Sequence, residues 1–328
     1  RASRPEHAAL RSRSQEPSFR GIPKESSPSS DGDIMDSQRV ATEMDLSHRR
    51  SMSDPFENGV VEAANAANDD PAAKSASEVF FTTMPRFPVA EAKNTNCWSE
   101  PDINIFRVRG PTYLNDSKKI PSGPYLLRAR GCDLFLTKDP PKNIGANSAV
   151  LGGTLRRLPT FIVNFRFPWG VLVLYFEIPS TYTRYLLPGE HNLDHLTPAE
   201  KTLAKFFMAS EAERNGRLKL IPYVAEGPWI ARSMVTGKPA IIGNKLPVTY
   251  CFCPQSDGQA EYLEADLDIG SSSATAKRIV SVCRRYMNVL TLDVGFVVQG
   301  NEAEELPEQM LGSIRVHGAD PLKAKTLV

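Results

Sequence analysis

Phe161-Ile162-Val163-Asn164-Phe165-Arg166-Phe167, then Pro168-Trp169-Gly170, then an almost unbroken apolar run from Val171 to Ile178, is the stretch that decides the fold. Alternation places Phe161, Val163, Phe165 and Phe167 on one face, with Asn164 and Arg166 partly on the other, the pattern of a half-buried strand. Pro168 and Gly170 break the chain and the run from Val171 reads as a second strand, so a central hairpin is the simplest reading. Outward from it, short apolar runs between Gly, Pro and Asn turns predict strands near 104–109, 132–137, 217–221, 229–235, 247–253, 260–269 and 291–298. Two longer helices stand out. Thr197-Pro198-Ala199-Glu200 is a capping box with proline at the first helical position; it opens a helix with Leu203, Phe206 and Phe207 as its stripe and a stop at Asn215-Gly216. A second helix follows Gly270-Ser271-Ser272-Ser273 and docks on the sheet through Ile279, Val280, Cys283, Met287 and Leu290. Lys277, Arg278, Arg284 and Arg285 lie outside. A third, short helix is expected at Glu302 to Leu311. The fold class is α+β: a largely antiparallel sheet packed by two longer helices and a short C-terminal helix, preceded by a disordered N-terminal tail.

The chain has 328 residues with 39 Lys+Arg and 38 Asp+Glu; a formal charge of +1 excludes the electrostatic footprint of a dedicated nucleic-acid binder, so no nucleic-acid partner is expected. Its apolar residues are unevenly spread, and all three Trp and all nine Tyr lie after residue 95. Residues 1–95 carry segments such as Ser26-Ser27-Pro28-Ser29-Ser30-Asp31 and read as a disordered Ser/Pro-rich regulatory tail; residues 96–328 read as one domain. Val79 to Phe87 is the apolar island of the tail, and either packs back on the domain or marks its beginning. The chain opens on Arg1, which reads as a fragment or an incomplete gene model and leaves N-terminal targeting unknown. The longest purely apolar stretch, Val171 to Phe176, is far shorter than the ~20 residues that cross a bilayer. Five scattered cysteines, Cys97, Cys132, Cys251, Cys253 and Cys283, fit reduced thiols better than a disulfide framework. A cytoplasmic protein peripheral to membranes is the expectation.

Nucleotide, zincin and hydrolase signatures are missing, so no catalytic residue and no cofactor is expected. Glu190-His191-Asn192-Leu193-Asp194-His195 precedes the helix cap, which favours a solvated loop over a metal site. Tyr262 to Ile269 alternates strictly, so Glu264, Asp266 and Asp268 share one strand face; they form a charged outer face, pair with basic neighbours, or bind a divalent cation. Arg107 with Arg109, and Arg128 with Arg130, each two apart on a strand, form either solvated pairs or a patch for anionic lipid headgroups. Trp98, Trp169 and Trp229 line an apolar groove or anchor the core. In the tail, Arg50-Ser51-Met52-Ser53-Asp54-Pro55 matches R-S-x-S-x-P, the phosphoserine pattern bound by 14-3-3 proteins; Ser14, in Arg11-Ser12-Arg13-Ser14-Gln15-Glu16-Pro17, has its proline one place late.

Collinear segments then carry a resemblance: Cys97-Trp98-Ser99-Glu100-Pro101, FRVRGPTYLNDSKKIP (106–121), NFRFPWGVLVLYFEIP (164–179), RLKLIPYVAEGPWIARSMVTGKPAIIGNKLPVTY (217–250), YLEADLDIGSSSATAKRIV (262–280), LDVGFVVQG (292–300) and EELPEQMLGSIRV (304–316). Together they resemble the C-terminal domain of the Enhanced Disease Resistance 2 family of plants, algae and protists. That domain's biochemical activity is undefined, and no catalytic residue carries over. In the plant proteins it accompanies an upstream lipid-binding START domain and often a pleckstrin homology domain, which implies lipid signalling by association. Residues 1–95 are too few to hold either module. The expectation is a non-enzymatic lipid-binding or membrane-associated regulatory domain with a phosphorylatable tail and anionic membrane lipid as partner. The alternative is a protein-interaction scaffold whose phosphorylated tail recruits 14-3-3 proteins.

Overall fold

A computed structural model describes residues 82–88 and 95–327. The strands, in chain order, are β1 (Cys97–Ser99), β2 (Arg107–Arg109), β3 (Lys119–Pro121), β4 (Arg128–Leu136), β5 (Thr160–Phe167), β6 (Gly170–Glu177), β7 (Leu218–Glu226), β8 (Ala240–Ile241), β9 (Val248–Cys253), β10 (Tyr262–Asp268), β11 (Thr291–Val298), β12 (Met310–His317) and β13 (Lys325–Thr326). They form a six-stranded sheet in the order β13-β4-β6-β5-β10-β9, a five-stranded sheet in the order β1-β12-β11-β7-β8, and the hairpin β2-β3. Pairing is antiparallel apart from β10 on β5 and β13 on β4. The helices are α1 (Tyr113–Asp116), α2 (Ser180–Thr183), α3 (Pro198–Met208), α4 (Glu211–Asn215), α5 (Trp229–Met234) and α6 (Ala274–Tyr286). The α+β class and largely antiparallel pairing read from the sequence hold, with the strands divided between two large sheets and the hairpin β2-β3.

The hairpin β5–β6 is the centre of the six-stranded sheet. Its alternation is obeyed on both faces. Phe161, Val163, Phe165, Leu172, Leu174 and Phe176 point into the main core, where they meet Val294, Phe296 and Val298 of β11 and Ile314 and Val316 of β12. Phe176 and Phe296 meet edge to face at 5.8 Å, the arrangement favoured by ring quadrupoles. The opposite face of β6, Val171, Val173 and Tyr175, forms a second core with Ile144, Val150, Leu151 and Leu155. Those four residues come from the segment between β4 and β5, which lies across the sheet. The strand β5 is therefore buried on both faces rather than half-buried: Asn164 is inaccessible to water and Arg166 donates to the Pro140 carbonyl.

The same cover corrects the expectation of a charged outer face on β10. Glu264 and Asp266 are buried. Glu264 accepts from the amides of Ile144 and Gly145 at 2.8 and 2.9 Å, and Asp266 accepts from the Asn143 amide at 3.0 Å. Asn164 bridges the two carboxyls. Asp268, at the strand's end, accepts from Ser271. Buried Asp133 likewise accepts from the Thr83 amide and from the Tyr175 hydroxyl, while Met84 enters the main core. The described part of the island, residues 82–87, thus packs back on the domain through Met84.

Three further elements differ from the sequence reading. The strand expected at 229–235 is helix α5 over Trp229–Met234, capped by Val235: Ala231 and Val235 are the buried positions, four residues apart, and Pro228 precedes the first turn. The helix expected at Glu302 to Leu311 shrinks to a single 3-10 turn at Ala303–Glu305 and is followed by β12. Pro307 denies that segment a helical amide, and Glu305 and Glu308 turn into buried ion pairs with Arg217 and Lys219. Burial works against ionisation of Glu305, but bonds from Arg217, the Asn301 amide and Lys205 hold its carboxyl down to about 2. The helix opened by Thr197 breaks at Ser210, which forms a capping box of its own with Glu213 and starts α4.

Candidate functional site

Helix α6 does not dock flat on the sheet: its inward side chains, Ile279, Val280 and Cys283 among them, are only half-buried. Capped by Ser273, which accepts from the Ala276 amide, it bridges the open edge between the two sheets and leaves a cavity of about 480 Å³ beneath it. Phe165, Phe167, Trp169 and Leu172 form one wall, Leu220, Leu292, Val294 and Val316 another, and Ala276, Ile279, Val280 and Cys283 of α6, with Met287 just after it, the roof. The polar side chains in its lining are Lys245, Ser273, Thr275 and Arg284. Trp169 stacks on Phe167 at 5.1 Å and carries the Arg284 guanidinium over its ring at 4.8 Å. Burial pushes the Cys283 thiol up to about 11, so at neutral pH it behaves as one more apolar group. The volume lies within the ~300–1,000 Å³ typical of small-molecule sites.

A second concavity of about 380 Å³ adjoins the cavity; Ala240 and Lys245 line both. Its side chains include Arg107, Arg109, Lys119, Lys219 and Lys245 against a single carboxylate, Glu308. Lys219 is buried, and its ammonium lies 2.7 Å from Glu308; desolvation lowers its pKa. Arg109 donates to the Gly300 carbonyl at 2.9 Å, sits 3.6 Å from Glu308 and stacks over Tyr113 at 4.7 Å. Arg107 is exposed and donates to the Lys119 carbonyl. One buried carboxylate leaves the cleft with an excess of positive charge, suited to an anion.

The sequence profile of the family described as Protein ENHANCED DISEASE RESISTANCE 2, C-terminal, matches residues 98–320. The chain belongs to this family. A relative, Protein ENHANCED DISEASE RESISTANCE 2-like of Arabidopsis thaliana, is 31% identical over 226 residues, which cover 67% of this chain and 28% of the relative. The chain thus matches little more than a quarter of that protein's length. No solved structure matches it.

Within this Enhanced Disease Resistance 2 C-terminal domain, the side chains singled out in the sequence separate. Arg107 and Arg109 line the cationic cleft. Arg128 lies on a different concavity, beside Glu100 and Tyr125, and Arg130 is ion-paired with Glu177. A bulge between Ala129 and Gly131 breaks the two-residue repeat on β4, so Arg128 and Arg130 do not act as a simple pair. Of the tryptophans, Trp169 lines the cavity, Trp98 is core, and Trp229 projects from α5 with 74% of its surface exposed. His191 and His195 sit in the loop before α3, on the Leu187 carbonyl and Arg184 respectively. Ser14 and Ser53 lie outside the described residues. Lys219 and Lys245 escaped sequence reasoning: a lysine between Leu218 and Leu220 looks solvent-facing, and its partner Glu308 is 89 residues away.

Proposed function

We propose that this domain is a non-enzymatic, membrane-associated lipid-binding domain in lipid signalling, which holds the apolar part of an amphiphile beneath α6 and the anionic head at the cationic cleft. The observation that carries the reading is the shared wall at Ala240 and Lys245, which joins an apolar cavity to a basic cleft. An amphiphile needs that juxtaposition, because its chain gains by leaving water while its head must keep a charged partner. Binding of a hydrocarbon chain is supported by the cavity lining, which is apolar apart from Lys245, Ser273, Thr275 and Arg284. Among the described residues no helix is long and apolar enough to cross a membrane, so the association proposed is peripheral.

Titrating the full chain with a fluorescent fatty-acid analogue tests the reading. Saturable binding is expected, weakened in Val280→Trp, whose indole takes up part of the cavity, and weakened in Lys245→Glu. A chain whose fluorescence never saturates, or a Val280→Trp variant with native circular dichroism and unchanged affinity, contradicts it.

A further inference from the structure

Helices α5 and α6 together carry Arg232, Lys277, Arg278, Arg284 and Arg285 and no carboxylate. At helical spacing Lys277, Arg278, Arg284 and Arg285 fall on one side of α6, and all five cations are exposed. Among the described residues none of the five enters an ion pair; Arg284 and Arg285 lie instead over Trp169 and Tyr286. The carboxylates at the borders are engaged: Glu226, just before α5, accepts from Thr291, and Asp268, before α6, accepts from Ser271. Large apolar groups stand beside this charge. Trp229 is 74% exposed, Ile230 37% and Val289 55%. The α5–α6 unit is held through Ala231, Val235, Ile279 and Tyr286. Gly227 abuts Leu290, which brings the turn carrying Val289 up to the start of α5.

We infer that the α5–α6 face docks on an anionic membrane surface, with Trp229 and Ile230 in the interfacial layer and the cations of α6 against lipid headgroups. The charge decides the occupant. A face with cations alone and an amphipathic tryptophan is repelled by a second copy of itself, whereas an anionic bilayer satisfies both parts at once. This surface is separate from the cationic cleft, and the same helix roofs the cavity, so docking would set the cavity beside the bilayer from which an amphiphile enters.

The test uses the full chain and sedimentation with phosphatidylcholine vesicles of increasing phosphatidylserine content. Binding should rise with phosphatidylserine, fall with added salt, and shift tryptophan emission to the blue; Trp229→Phe should abolish most of that shift. Removing three charges in Lys277→Gln/Arg278→Gln/Arg285→Gln should lower the partition coefficient about a hundredfold, taking ~1 kcal/mol per basic residue near the surface. None of these residues lines the cavity, so uptake of the fluorescent fatty acid by this variant should match that of the parent chain. Failure of the parent chain to sediment, retention of binding by the triple variant, or binding equal on pure phosphatidylcholine overturns the inference. Sedimentation that follows the inference with no fatty-acid uptake overturns only the cavity reading.

Discussion

Glu264 illustrates chemistry invisible at the level of residue type. Burial, reinforced by the neighbouring Asp266 carboxyl, pushes it up to about 8, although the Gly145 and Ile144 amides pull the other way. The folded chain thus holds this proton where the unfolded chain releases it. The contribution to stability is fully present below the ordinary value of 4.5 and is lost as pH rises through about 8. Thermal melts should therefore show stability from this site falling between pH ~5 and ~8, with a shallower fall in Glu264→Gln, which keeps an acceptor for Ile144 but does not titrate. An equal slope in the two proteins would contradict the assignment. Glu308 makes a complementary case. It holds buried Lys219 and the Gly300 amide, so Glu308→Ala strands a buried cation and should cost about 3–5 kcal/mol in urea unfolding, much of it recovered when Lys219→Met is added.

At the scale of elements, legibility followed how local the signal was. The β5–β6 hairpin and the Thr197 capping box rest on neighbouring residues, and both form as read. Residues 229–235 and 302–311 differ from their local reading because distant partners bear on them: Ala231 of α5 and Val235 just after it pack against residues of α6, and Met310 onward pairs with β11. Glycine in β12 shows the constraint such pairing imposes. A Cβ on Gly312 would lie 2.6 Å from the Phe176 ring, inside the contact between the two sheets. Gly312→Ala should destabilise the domain by about 1–3 kcal/mol through displacement of Phe176, measured as a lower denaturation midpoint with unchanged slope. A variant of parental stability would show that the sheets can separate without penalty.

The molecule as a whole holds what the sequence conceals most. Apolar residues on α6 were visible as an inward face, but whether they meet a sheet or an empty space depends on where two sheets diverge, a distance that no periodicity encodes. Arg107 and Arg109 were legible as a pair. The cleft they share with Lys219 and Lys245 was not, since it draws on β2, β3, β7 and the turn after β8. Family membership is secure over residues 98–320, and the cavity and cleft lie wholly inside that match. The proposed lipid-binding role stands on their adjacency. Native mass spectrometry of the purified full chain tests it most directly: the account predicts one retained amphiphile per chain, at lower occupancy in Val280→Trp, whereas a chain that carries no lipid and takes up none on incubation with fatty acid would contradict it.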